Sequence, residues 1–99
     1  MQDMDIMTMQ QLLANKGVSL KTGRNATKIR YLAKGVDTLI EGRNDHHAWF
    51  SASEVHGCVK SQYRQNSTSY GHILTRWSHQ GLLRIKDDGK TRYYQKVIR

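Results

Sequence analysis

The sequence contains one cysteine, Cys58, and no proline, internal repeat or low-complexity tract. A single cysteine excludes an intrachain disulfide and favours a reducing, intracellular setting. No apolar run approaches the roughly 20 residues that a helix needs to cross a bilayer, and the N-terminus has no signal-peptide pattern. We therefore expect a soluble cytoplasmic protein that does not attach to a membrane.

The motifs of common enzyme classes and metal sites are missing as well. There is no phosphate-binding glycine loop and no Gly-x-Ser-x-Gly. Asp45, His46, His47, His56 and Cys58 lie close together, but without Cys-x₂-Cys or His-x₃-His spacing they are weak evidence for zinc. We predict a protein that is not an enzyme and has no metal and no cofactor, with Cys58 as a small buried residue.

Acidic residues are scarce and unevenly placed. The chain of 99 residues has 8 Asp/Glu against 16 Lys/Arg, a formal net charge of +8. Residues 6–36 and 55–86 contain no acid at all, while cations recur through both ranges. Such a charge distribution indicates a polyanionic partner, with nucleic acid ahead of an anionic membrane, although solubility alone is the other interpretation.

Two helices are predicted in the N-terminal half. Thr8 begins a capping-box pattern, and Gly17 is placed to end the short helix that follows. A longer helix begins after Asn25, with Gly42 as its predicted C-cap and Gly35 indicating close packing against a neighbour. Its apolar residues recur at helical spacing and form one stripe: Ile29, Leu32, Ala33, Val36 and Ile40.

Two further helices follow, separated by a loop at 60–66. The first comes after a short β-prone segment, 48–50, and opens with a second capping box from Ser51 to Glu54. The second starts at Asn66 or Ser67 and ends before a glycine at position 81. Its apolar stripe, predicted to face the core, consists of Tyr70, Ile73, Leu74 and Trp77.

The C-terminal segment predicts a β-hairpin. Two β-prone runs, 82–86 and 91–98, flank the dipeptide Asp88-Gly89, and Asp-Gly between such runs is the strongest short-range hairpin signal. The loop length is open at this point, and so is the pairing of Leu83 and Ile85 with Tyr93 or Tyr94. We expect these tyrosines in the core or in cross-strand pairs rather than as base-stacking residues.

From about Ala26 onward the chain resembles a winged helix-turn-helix domain. The resemblance rests on AWFSASEV, a short strand running into a capped helix, on the helix STSYGHILTRWSHQGLL, and on the hairpin RIKDDGKTRYYQ. It implies an α+β winged helix at 26–99, with a three-helix core and a C-terminal β-hairpin wing. Residues 1–25 are then an N-terminal extension with one short helix.

The resemblance implies that the 66–80 helix enters the major groove of double-stranded DNA. With the apolar stripe on the core, helical periodicity places polar side chains on the opposite face. In that role Arg76 reads guanine in a bidentate manner and His72 donates to guanine N7 or O6. The hydroxyls of the first turn approach the groove floor or phosphates. The full set of candidate recognition residues is Ser67, Thr68, Ser69, His72, Thr75, Arg76 and His79.

The wing is expected at 84–92, where it follows the DNA backbone because Asp87 and Asp88 oppose deep insertion. Its candidate contacts are Arg84, Lys86, Lys90, Thr91 and Arg92. Other cations either reach the backbone or only keep the protein soluble: Lys28, Arg30, Lys34, Lys60 and Arg64. A basic arm of Lys16, Lys21 and Arg24 is a further option, with a flexible charged loop as its alternative.

These features predict a sequence-specific DNA-binding protein, a small transcriptional regulator that is nucleoid-associated if bacterial or from a phage. The alternative is a protein-interaction module that binds a host protein such as a polymerase, or dimerises. In that version a partner or a second copy covers the short N-terminal helix, through Met9, Leu12 and Leu13, together with the long helix. An earlier helix-turn-helix, LLANKGVS followed by ATKIRYLAKG, ranks lower because its turn is too long.

Overall fold

The structure is a computed structural model that describes residues 7–17, 26–59 and 67–97. The loop predicted at 60–66, Val18–Arg24 and the predicted caps Asn25 and Asn66 lie outside these ranges. In chain order the elements are α1 (Met9–Asn15), α2 (Ala26–Arg43), β1 (Phe50–Ser51), α3 (Ala52–Cys58), α4 (Ser67–His79), β2 (Leu83–Asp87) and β3 (Arg92–Lys96). Helices packed with one antiparallel sheet confirm the predicted α+β class.

Both predicted capping boxes are present at the starts of α1 and α3. The Thr8 hydroxyl accepts a hydrogen bond from the backbone N–H of Gln11 at 3.1 Å, and the Gln11 side chain returns to Thr8 N at 2.9 Å. Ser51 and Glu54 make the same reciprocal pair at 3.3 and 3.0 Å. Each box satisfies two N–H groups that have no partner inside the helix, so these starts follow from local sequence.

The helix C-termini follow the sequence signals with one exception. Gly17 and Gly81 have φ of +81° and +80°, the left-handed conformation that favours glycine after a helix. The prediction that Gly42 caps α2 is wrong. The helix continues through Gly42 to Arg43, and Asn44 at φ 52° takes the left-handed position instead. Asparagine tolerates this conformation better than most residues, so it competes with glycine for that role.

The sheet has the strand order β1-β3-β2, and both pairings are antiparallel. The last pair before the hairpin loop joins Asp87 to Arg92, which leaves four residues in the loop. Ile85 consequently pairs with Tyr94, and on the other side of β3 Phe50 also pairs with Tyr94. The register that the sequence left open is thereby decided, and Tyr94 becomes the centre of the sheet.

The core lies between the helices and one face of the sheet. The α4 stripe is confirmed, since Tyr70, Ile73, Leu74 and Trp77 are all at most 7% exposed. The α2 stripe is confirmed for its last four residues, while Ile29 is only partly buried and packs against the edge of the cluster. The apolar residues of 82–83 and Phe50 complete this cluster from the sheet side.

Helix α1 belongs to the same core. Met9 and Leu13 are fully buried in one cluster with the residues of α2, and Leu12 packs partly buried against it. The carboxylate of Asp37 on α2 accepts hydrogen bonds from Met9 N at 2.6 Å and Gln10 N at 3.4 Å. Met9 and Leu13 therefore do not form an outward partner surface, which corrects that part of the protein-interaction alternative.

Lys96 is a buried cation at the end of β3. It is 2% exposed, and its ammonium donates to the Met7 carbonyl at 2.6 Å and lies 3.1 Å from His46 Nδ1. Burial lowers the pKa of Lys96 below its ordinary value of 10.5, and the Asp37 carboxylate offsets part of that shift. The sequence did not single out this lysine, since an alternating polar position near a chain end resembles a solvated one.

We expect the lowered pKa of Lys96 to make the stability of the protein depend on pH. In the window below 10.5 the unfolded chain binds more protons at this position than the folded chain, so the free energy of unfolding rises with pH there. Lys96→Met removes that contribution, whereas Lys34→Met, at an exposed lysine of α2, keeps it. Urea titrations from pH 7 upward measure how the free energy of unfolding of each protein changes with pH. The same change with pH in Lys96→Met and in wild type would contradict the expectation.

Candidate nucleic-acid interface

The outward face of α4 carries polar side chains and no acid. Thr68, His72, Arg76 and His79 are exposed, and Ser69 and Thr75 are partly buried. Ser67 begins the helix, but its side chain lies outside the described residues. Helical periodicity predicted the direction of this face, because the apolar stripe on the other side of α4 is buried and the polar side chains must therefore point outward.

A groove of about 500 Å³ runs between α4, the hairpin loop and the start of α3. We call it the helix–hairpin groove. From α4 it is lined by Thr68, Gly71, His72 and Thr75, from the hairpin by Lys90, Thr91, Arg92 and Tyr94, and from the start of α3 by Ser51, Ala52 and Ser53. Hydroxyls, a histidine and two cations thus converge on one open surface from three separate elements.

Arg92 connects the hairpin to α4. Its Nη1 donates to the Thr75 hydroxyl at 3.3 Å, and its Nε lies 3.7 Å from a carboxylate oxygen of Asp87. Thr75 in turn lies 2.9 Å from the Tyr94 hydroxyl. On the far side of this bridge a second groove, of about 460 Å³, lies between α4 and β2 and includes His79. Arg92 is therefore engaged with both Thr75 and Asp87, while Arg76 has no ion-pair partner within the described ranges and lines neither groove.

The two acids of the hairpin loop shape its backbone. Asp87 accepts a hydrogen bond from Gly89 N at 2.9 Å, and Asp88 accepts from Thr91 N at 2.8 Å and Lys90 N at 3.0 Å. The N–H groups of Thr91 and then Lys90 hold the pKa of the Asp88 carboxyl below its ordinary value. Both carboxylates are engaged with the loop itself, and they hold Lys90 and Thr91 where these residues line the groove.

The five candidate residues of the hairpin divide between its two faces. Lys90, Thr91 and Arg92 line the helix–hairpin groove. Lys86 also borders the second groove, but side chains alternate along a strand, so Arg84 and the Lys86 ammonium project from the face opposite α4. There the Lys86 ammonium lies 4.4 Å from the centroid of the Trp49 ring. The hairpin therefore presents cations in two directions, which the sequence did not predict.

The remaining predicted cations lie away from this groove. Lys28 and Arg30 are partly buried on α2 and Lys34 is exposed there; none of the three lines either groove. The Arg30 guanidinium and the Lys34 ammonium lie 5.1 and 5.5 Å from the Tyr31 ring centroid. Lys16 is exposed after α1. Lys21, Arg24, Lys60 and Arg64 lie outside the described residues.

Two residues of the site were not predicted from the sequence as site residues. Ser53 lies inside the Ser51–Glu54 capping box, and with the start of α3 it also lines the groove beside α4. Tyr94 is in the core, as the sequence predicts, and is 2% exposed; its hydroxyl also contacts the Thr75 hydroxyl. The capping box was the available signal for Ser53, because it places exposed hydroxyls at a helix start. Nothing local indicated the contact between Tyr94 and Thr75.

The histidine and cysteine cluster does not converge. Within the described ranges no three His, Cys, Asp or Glu side chains are arranged to hold a metal ion. His56 packs on the Tyr70 ring at 5.9 Å between centroids. The prediction of a buried Cys58 is wrong, since the residue is partly exposed at the end of α3.

Comparison with known proteins identifies no relative: no protein-family model, curated protein or solved structure matches the chain. In the described part of the chain, none of the helices has the length and apolar character required to traverse a lipid bilayer.

Proposed function

We propose that this chain is a winged helix-turn-helix protein that binds double-stranded DNA sequence-specifically, as a small transcriptional regulator. In this proposal α4 is the recognition helix and the β2–β3 hairpin is the wing. The observation that carries it is the helix–hairpin groove, where the acid-free face of α4 and the cations Lys90 and Arg92 lie on one surface. A polyanion that meets α4 there also meets the wing.

The shape and polarity of this surface suit a duplex. A major groove admits one α-helix, and α4 projects side chains of three polar types from a single face. Arg76 is exposed, carries five N–H donors in a fixed fork, and suits bidentate contact with guanine. Lys90 and Arg92 at the groove edge suit phosphates, which hold a protein in register without reading sequence.

The distribution of apolar surface favours this proposal over a protein partner. Within the described ranges Ile85, at 42% exposure, is the single large apolar side chain that stands out from the surface. Protein interfaces centre on buried aromatic and aliphatic anchors in a desolvated core. A net charge of +8 combined with so little exposed apolar surface matches the polar, cationic character of DNA interfaces.

We expect duplex affinity to fall steeply with salt. Selection from a random duplex pool identifies the target sequence. Fluorescence anisotropy then measures the dissociation constant of the protein–duplex complex at salt concentrations between about 50 and 300 mM, a range over which phosphate contacts weaken strongly. With about 4–6 phosphate contacts, the log–log slope is about −4 to −5. Arg76→Ala is expected to weaken binding to the selected site by about 1–3 kcal/mol, roughly 5- to 150-fold.

Lys34→Ala is the charge-matched control, since it removes an exposed cation from α2 rather than from the outward face of α4 that carries Arg76. It should alter the affinity far less than Arg76→Ala does. Affinity that is undetectable or independent of salt would overturn DNA binding itself. Equal losses for selected and random duplexes on Arg76→Ala would leave DNA binding in place but assign Arg76 to phosphate contact.

A further inference from the structure

The face of the hairpin opposite α4 combines aromatic rings with cations. We call it the outer sheet face and define it by Trp49, Arg84, Lys86, Tyr93 and Gln95. The Lys86 ammonium lies 4.4 Å from the Trp49 ring centroid and 5.9 Å from that of Tyr93. Both rings are partly exposed, and Arg84 and Lys86 are exposed. Two π-faces and two positive charges thus share one strip of surface, formed by β2, β3 and the residue before β1.

This face has the charge of a polyanion-binding surface. None of its strand positions carries a carboxylate: Asp87 projects towards α4, where it is ion-paired with Arg92. Glu54, which follows β1 in sequence, is engaged with Arg43, whose guanidinium also donates to the Trp49 carbonyl at 2.7 Å. That hydrogen bond fixes the backbone beneath the exposed ring. The backbone at Trp49 is therefore anchored. The acid that interacts with Lys86 is Asp88 of the hairpin loop, whose carboxylate accepts hydrogen bonds from backbone N–H groups of the loop; these bonds, and to a smaller extent Lys86, lower its pKa.

We propose that the outer sheet face binds single-stranded nucleic acid, with bases stacked on Trp49 and Tyr93 and phosphates held by Lys86 and Arg84. Every base has a π-face, so such stacking accepts any sequence, and adjacent cations follow the backbone. Lys86 now covers part of the Trp49 ring. An exposed cation–π contact contributes less than base stacking, so an arriving base displaces the ammonium, which then gains a phosphate.

A single strand fits this surface better than a duplex does. Bases in a duplex are already stacked on one another, and their faces are closed to a side chain. Against a duplex, Trp49 and Tyr93 would therefore stack on no base and would contribute only the surface area that they bury. The outer sheet face also points away from the helix–hairpin groove, so the inference does not depend on the proposed role of α4. One chain could hold a duplex on one side and an unpaired strand on the other.

The probes are fluorescein-labelled dT12, dU12 and rU12, measured by anisotropy at 50 mM salt with the full chain. Trp49→Leu is expected to weaken binding by about 5- to 150-fold, the loss of one stacked base, while Trp49→Phe retains a ring and loses less. Unlabelled dT12 should quench the fluorescence of Trp49, with Trp77, 2% exposed, as the unquenched reference. Because dT12 and rU12 differ in the C5 methyl group as well as in the 2′-hydroxyl, the ratio of dU12 to rU12 affinity reports contact with the 2′-hydroxyl. Binding of any of these oligomers through Trp49 supports the proposal.

Lys86→Glu provides a second variant at an exposed position whose substitution leaves the core intact, and it too should weaken oligomer binding. Arg76→Ala is the matched control and should leave dT12 and rU12 affinity unchanged, while it weakens duplex binding. The proposal is overturned if wild type binds none of the oligomers, if Trp49→Leu and Lys86→Glu both bind like wild type, or if Arg76→Ala alone abolishes binding. A wild-type protein that binds the oligomers through Trp49 but binds no duplex would instead overturn only the role of α4.

Discussion

Gly35→Leu is expected to lower the free energy of unfolding by about 3 kcal/mol, at the upper end of the usual cost of overpacking. Helices α2 and α3 meet at this glycine. A Cβ there would lie 2.8 Å from Val59 Cγ2, 3.2 Å from Val55 Cγ1 and 3.3 Å from the Val55 carbonyl oxygen. Valine is stiff about its first side-chain torsion, and the carbonyl belongs to the α3 backbone. A leucine therefore pushes the two helices apart.

Gly42→Ala is the matched control in the same helix. A Cβ at Gly42 meets nothing within 4 Å, and its φ is not in the left-handed region. Alanine there should stabilise the protein by up to about 1 kcal/mol through helix propensity alone. Urea denaturation followed by circular dichroism measures both variants. A Gly35→Leu protein as stable as wild type would show that α2 and α3 do not approach as closely as described.

Tyr94→Ala is expected to cost about 3–5 kcal/mol, the usual range for removing a buried aromatic ring. The Tyr94 ring is 2% exposed and lies 6.2 Å from the Phe50 ring between centroids. Its hydroxyl lies 2.9 Å from the Thr75 hydroxyl and donates to the Gly71 carbonyl at 3.4 Å. The substitution therefore removes both a core ring and the contact that places the hairpin against α4.

Tyr94→Phe separates these two contributions. It keeps the ring and removes the hydroxyl, at an expected cost of about 1 kcal/mol for the hydrogen bonds. Thr75 then retains the hydrogen bond from Arg92. Under the proposed function, Tyr94→Phe should bind the selected duplex nearly as well as wild type. If its loss of stability in urea equals that of Tyr94→Ala, the hydroxyl rather than the ring holds the sheet to α4.

Features that depend on neighbours in sequence were predictable. Thr8 and Ser51 begin helices because their hydroxyls accept N–H groups three residues later. The α4 stripe faces the core because helical periodicity allows one buried side. Gly35 indicated a close neighbour because a glycine inside a helix lowers its stability unless packing requires it. The prediction for the C-terminal cap of α2 was wrong because two nearby residues, Gly42 and Asn44, can both take the left-handed position there.

The candidate site was predictable only in part, because its hairpin depends on the loop length. With four loop residues, Lys86 pairs with Tyr93 and lies over Trp49. A shift of one residue would turn every side chain of β2 to the other face. The sequence grouped Lys86 with Lys90 and Arg92 as one set of wing contacts, and the observed register separates them. The outer sheet face is a consequence of that register.

By itself the sequence determined the α+β class, the positions of most helix starts, the buried stripe of α4 and the excess of positive charge. Each of these follows from residues within a few positions of one another or from simple counting. Only the tertiary structure decided that Lys96 is buried beside Met7, that Tyr94 holds Thr75, and that Arg84 and Lys86 face away from α4. Those contacts join residues that are far apart in the chain, so their geometry depends on how whole elements pack and on a strand register that no local pattern specifies.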